Sequence, residues 1–127
     1  MRRTFLILAS VAACATLALA TSASAKTPAK TCTASSPNVI GHTITGTLTS
    51  SNVDPSQARF ATCAQAKQVM VKTTELRVEE PRATKAFYCV PTVKSTAPDV
   101  VAYKCTFKGA DTATFIKLLF QVKYDQD

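Results

Sequence analysis

Beyond a 25-residue start that reads as an export signal, the 127-residue chain holds four cysteines, Cys32, Cys63, Cys89 and Cys105. In an oxidising compartment, an even number of cysteines in a chain this short points to disulfides that replace part of a large core. Two bridges then limit which strands and helices can be neighbours. The export reading rests on three features. Met1-Arg2-Arg3 is basic, Phe5 to Ala20 is apolar apart from Ser10 and Thr16, and Ala23-Ser24-Ala25 fits a small-x-small cleavage site. Residues 1–25 are therefore expected to be a signal peptide, and the protein secreted. The apolar run is short and alanine-rich and lacks a basic flank on its far side, so no transmembrane span is expected. Val11-Ala12-Ala13-Cys14 offers an alternative, a lipoprotein anchored through Cys14. Against it, few residues precede Cys14 and the apolar run continues past it to Ala20.

Cysteine spacing narrows the chemistry. No pair shows Cys-x-x-Cys and the only histidine, His42, is remote in sequence from all four, which argues against zinc. Four cysteines allow three pairings. If the connection between two strands centres on Ser95-Thr96-Ala97-Pro98-Asp99, positions 89 and 105 face each other, which favours Cys89 with Cys105 and leaves Cys32 with Cys63. A bridge from Cys63 to Cys89 or Cys105, pinning a helix to a strand, is the competing arrangement.

Along the chain, residues 26–37 are small, polar and proline-containing and read as a flexible lead, ordered only near Cys32. From Ile40 the pattern has period two: Ile40, His42, Ile44, Gly46 and Leu48 on one face, threonines at 43, 45, 47 and 49 on the other. That is a strand with a threonine-covered outer side and His42 on the inward or border side. Asp54-Pro55-Ser56-Gln57 and Thr62-Cys63-Ala64-Gln65 are two helix starts in close succession. They predict a single turn, then a main helix from Cys63 to about Thr73 with Cys63, Ala66, Met70 and Thr73 or Thr74 inward. Glu75 to Lys85 mixes acids and bases before and after Pro81 and reads as a charged connection or irregular edge. Three strands follow. Phe87 and Cys89 share a face, then Val101, Tyr103, Cys105 and Phe107, and last Ile116, Leu118, Phe120, Val122 and Tyr124. The run Phe115 to Phe120 is so apolar that a central or shielded strand is required of it. The expected class is α+β: one short helix on an antiparallel sheet of about four strands, in the order β-α-β-β-β, clamped by disulfides and formed by residues 38–127.

A helix opening on Thr62-Cys63 with Ala66, then Phe87-x-Cys89, then Tyr103-x-Cys105 with Gly109 and a final apolar strand, resembles a group of small secreted actinobacterial proteins. The likeness spans Thr62 to Tyr124 and implies a shared fold. It brings no activity and no catalytic residue. This chain departs from the group in its extra N-terminal strand with Cys32 and in Ala86, where such chains often carry glycine.

With the cysteines in bridges, one histidine and no glycine-rich phosphate loop, a catalytic centre is not expected, nor a metal or other cofactor. Removal of Arg2 and Arg3 lowers the formal charge from +7 to +5. The remaining bases are scattered without a run of three, which excludes a nucleic-acid arm and leaves a general attraction to anionic polymers or headgroups. The first expectation is a secreted, non-catalytic binding domain associated with the envelope, its partner a protein or an anionic envelope polymer. The alternative is a secreted inhibitor of a protease or other hydrolase, using Thr92, Val93, Lys94, Ser95 and Thr96 as an exposed loop held by the Cys89–Cys105 bridge.

Overall fold

The computed structural model describes residues 27–109 and 113–125. The expected signal peptide and Cys14 lie outside them. Six strands, β1 (Lys30–Ser35), β2 (Thr43–Ser51), β3 (Arg82–Ala83), β4 (Phe87–Thr96), β5 (Asp99–Phe107) and β6 (Phe115–Lys123), form one antiparallel sheet in the order β1-β2-β6-β5-β4-β3. Between β2 and β3 come a 3₁₀ turn at Ala58–Ala61 and the single helix α1 (Cys63–Glu75). The class is α+β as expected, but the sheet has six strands instead of about four. The added strands lie at its two edges. β1 falls inside the segment read as a flexible lead. Its inward residues, Cys32 and Ala34, are small, so its alternation with Thr31, Thr33 and Ser35 is weak as a hydrophobic signal. β3 is two residues long and pairs Arg82 with Cys89 and Ala83 with Tyr88.

Local chemistry sets the helix limits. The Thr62 side chain accepts from Gln65 N–H at 3.3 Å, capping α1, and the 3₁₀ turn before it follows the Asp54 carboxylate, which accepts from Ser56 N–H at 2.8 Å. That hydrogen bond holds the Asp54 carboxyl below its ordinary pKa. Ala66, Val69, Met70, Thr73 and Thr74 are buried against the sheet. Gly46 lets the helix come down onto β2: a Cβ there would lie 2.8 Å from Met70 Sδ and 3.1 Å from Leu118 Cδ1.

The helix is tied at both ends of its span. Cys63 is bonded to Cys32 on the edge strand. Near the other end, Thr74 Oγ1 donates to Val71 O (2.8 Å) and hydrogen-bonds with Ser36 Oγ (3.1 Å), while Thr73 Oγ1 lies 3.8 Å from Cys89 Sγ on β4. One helix thus touches strands from opposite halves of the sheet, and the apolar core lies between.

β6 is central, as its apolar run requires, with Ile116, Leu118, Phe120, Val122 and Tyr124 all buried. Its other side is not covered, however: Phe115 and Leu119 are each over 40 % exposed. His42 also departs from expectation. The strand starts at Thr43, and Gly41 (φ +80°) and His42 (φ +56°) make the turn that precedes it, so the imidazole is exposed instead of bordering the core.

Candidate functional site

Sequence register across the sheet decides what its uncovered face displays. β1, β2, β5, β6 and the first half of β4 alternate buried with outward residues, and the pairing aligns Thr31, Thr47, Leu119, Lys104 and Val90 in one row across five strands. A second row runs Thr49, Lys117, Thr106, Tyr88, Ala83. One half of the face, on β1 and β2, is threonine. The other half carries Tyr88, Val90, Phe115 and Leu119, all partly exposed, among Lys94, Lys104, Lys117 and Lys123. No Asp or Glu occupies an outward strand position among the described residues. A shallow groove of about 360 Å³ crosses this half, lined by Thr92, Lys94, Ala102, Lys104, Leu119 and Gln121. Lys117 Nζ sits 5.6 Å from the Phe115 ring centre.

Acidic groups gather on the helix side. At the turn end of the β4–β5 hairpin, a cleft of about 770 Å³ has Val101, Tyr103 and Tyr124 among its walls and Glu79, Asp99 and Asp125 with Arg77 around it. Tyr103 Oη donates to Val78 O at 3.1 Å and meets Tyr124 Oη at 2.7 Å. Because the Tyr103 proton is committed to the carbonyl, Tyr124 donates within the pair. Burial pushes both phenols above their ordinary pKa, and the carboxylates of Asp99 and Glu79 add to the rise at Tyr103. Arg77 stacks 5.5 Å over the Tyr124 ring. This polar set closes one end of the core and holds its protons; it supplies no base.

Neither a protein-family model nor a curated protein nor a solved structure matches this chain.

The sulfur pairs are Cys32–Cys63 and Cys89–Cys105, the pairing that strand spacing favoured. Cys89 faces Cys105 directly in the β4–β5 register. The expected binding loop is not a loop. Thr92 to Thr96 belong to β4, the ladder continues with an irregularity between Val93 and Ser95, and only Ala97 and Pro98 stand outside it. The irregularity also divides those residues. Thr92 and Lys94 join the outer groove, whereas Val93 and Thr96 line the acidic cleft. Among the described residues no group of three or more His, Cys, Asp or Glu side chains could hold a metal ion, and no helix is long and apolar enough to cross a membrane. Lys104 and Lys117 are not among the site residues expected from sequence. Their outward alternation is visible in each strand, but their juxtaposition appears only once β6 is known to lie between β2 and β5.

Proposed function

We propose that this protein is an exported, non-catalytic binding domain whose open sheet face docks on an anionic polymer of the cell envelope. The observation that carries the reading is the charge of the open face: among the described residues four lysines and no carboxylate take outward strand positions, while Glu79, Asp99 and Asp125 surround a cleft on the helix side. A lysine ammonium is a point charge on a flexible stem and follows a repeating anion without demanding a fixed geometry. Tyr88 and Phe115 offer ring faces for apolar stacking, and the threonine rows of β1 and β2 offer hydroxyls that donate and accept. The N-terminal export signal and the likeness to small secreted proteins support placement outside the cell. The arrangement favours contact over turnover, since all four described cysteines are in bridges and His42 sits on an exposed turn.

Contacts of this kind are individually weak and screened by salt, because the Debye length is about 8 Å at 0.15 M ionic strength. Co-sedimentation of the purified protein with an envelope fraction, at 0.05 M and 0.5 M NaCl, tests the reading. Retention is expected at low salt, with a fall of about tenfold in affinity for Lys104→Glu with Lys117→Glu, while Lys67→Glu on α1 leaves it unchanged. Absence of retention, or equal losses for the face and helix variants, removes the proposal.

A further inference from the structure

A second cavity, of about 360 Å³, lies at the opposite end of the β4–β5 hairpin from the tyrosine pair. Tyr103 and Phe107, which lines the cavity, are both on β5 and four residues apart, about 13 Å along the strand. The chain brings three cations to this cavity from three separate segments: Arg59 from the 3₁₀ turn, Lys85 from the approach to β4, and Lys108 from the end of β5. Among the described residues no carboxylate lines it. Phe60 and Phe107, with ring centres 4.9 Å apart, supply an aromatic wall, and the Arg59 guanidinium lies 4.8 Å from the Phe60 ring centre. Gln57 contributes a side-chain oxygen that is buried and reached by no donor of the protein. Gly109 keeps the wall in place, since a Cβ there would come within 2.6 Å of the Phe107 ring.

These features ask for a ligand with three properties at once. Three cations converging on one cavity favour an anion. An aromatic wall favours a ring with a C–H face, and a buried acceptor without a partner favours a hydroxyl donor, because an unmatched buried oxygen is costly. A cavity of this size is at the small end of ligand sites, roughly 300–1,000 Å³. We infer that the pocket formed by Gln57, Arg59, Phe60, Lys85, Phe107 and Lys108 binds a single anionic sugar unit, a hydroxylated ring bearing a carboxylate or a phosphate. The cations hold the charged group, the phenylalanines meet the ring, and Gln57 accepts from a ring hydroxyl. The site is distinct from the open sheet face and does not depend on what that face binds.

Titration of the isotopically labelled protein, followed by amide NMR shifts, tests this with glucuronate and glucose 6-phosphate as probes. Glucose supplies the ring without charge, and acetate and inorganic phosphate supply charge without the ring. At least one anionic sugar is expected to saturate, moving the Gln57, Lys85 and Lys108 amides, about tenfold more tightly than all three controls. Lys85→Ala with Lys108→Ala, both at exposed positions, should weaken it about tenfold without changing the remaining spectrum. The inference is overturned if neither anionic sugar saturates by about 50 mM, a concentration far weaker than the millimolar affinity of a minimal site. It is equally overturned if glucose or the simple anions bind as well as the anionic sugars, or if the double variant binds them unchanged.

Discussion

Replacing both Cys32 and Cys63 by alanine should remove about as much stability as any pair of substitutions in this chain. The bridge spans a sequence separation of 31, and by loop-closure entropy it lowers the free energy of folding by about 3.7 kcal/mol. Lost sulfur contacts, Cys32 being 1 % exposed, add on the order of 1 kcal/mol. A domain of this size has about 5–15 kcal/mol in all, so the loss should lower Tm by roughly 15–30 °C. The damage should also be local. Ser36 N–H donates to His42 O, so in the antiparallel alternation the Ala34 amide bonds to β2 and those of Thr31, Thr33 and Ser35 face the free edge. With the bridge gone, β1 keeps its ladder to β2, the packing of Ala34 in the core and the contact of the adjoining Ser36 with Thr74, but no covalent tie to the helix. Guanidinium denaturation followed by far-ultraviolet circular dichroism gives the magnitude, since the chain has no tryptophan. Hydrogen exchange gives the location: the Ala34 amide should lose protection before the amides of β5. For comparison, Cys89→Ala with Cys105→Ala should cost about 3.1 kcal/mol, its separation being 16. A loss below about 1 kcal/mol for the first pair, or an Ala34 amide that stays as protected as β5, would show that the helix and edge strand hold together without the clamp.

Two further outcomes follow from the core. Gly46→Ala should destabilise by about 1–3 kcal/mol, because the new methyl meets Met70, which is fully buried, and Leu118. Combining it with Met70→Ala should cost less than the sum of the two single changes, and additivity in denaturation midpoints would sink the close-approach account. The tyrosine pair sets a pH limit. Its folded pKa values lie above the unfolded value of about 10, so its stabilisation is complete below pH 10 and is lost as pH rises beyond it. Unfolding midpoints measured from pH 8 to 11.5 should fall above pH 10, and Tyr124→Phe should flatten that fall; a profile unchanged by the substitution refutes the assignment.

Much of the fold was legible because its signals are local. The Thr62 cap marks the start of α1, and the alternation in β5 and β6 sorts Tyr103, Cys105, Leu118 and Phe120 to the core. Centring the strand connection on Ser95 to Asp99 sets Cys89 opposite Cys105; the turn at Ala97-Pro98 alone would pair 89 with 106, and the register shift between Val93 and Ser95 restores the pairing. What stayed hidden depends on residues that carry little hydrophobic signal or on strand order. β1 turns small side chains inward, and β3 is too short to show a period. His42 continues the alternation of β2 in sequence, yet the left-handed residues Gly41 and His42 break the strand before it. The lysine face joins β5 to β6 beside the threonines of β2, which lie about seventy positions earlier in sequence. The pocket of Arg59, Lys85 and Lys108 gathers residues from three separate segments, and no window of sequence contains them.

A modest positive charge spread evenly over a small domain would attract polyanions without orienting the protein on them. Here the pleat sorts that charge. Lys104, Lys117 and Lys123 alternate with buried neighbours and so share one side, while Glu79, Asp99 and Asp125 surround a cleft on the other. An approaching polyanion meets lysines without intervening carboxylates on the open face and mixed charges on the helix side, so the open face is the favoured contact. The same sorting protects the sheet. Exposed Leu119, Val90 and Phe115 on a flat face invite stacking between copies, and interspersed lysines oppose it because like charges would be brought together. At the edges, β1 opens on Lys30 and β3 is only two residues long, which limits strand addition there. Lysines that keep copies apart are thus also the groups that a polymer of opposite charge would meet, and removing them should weaken binding and lower solubility together.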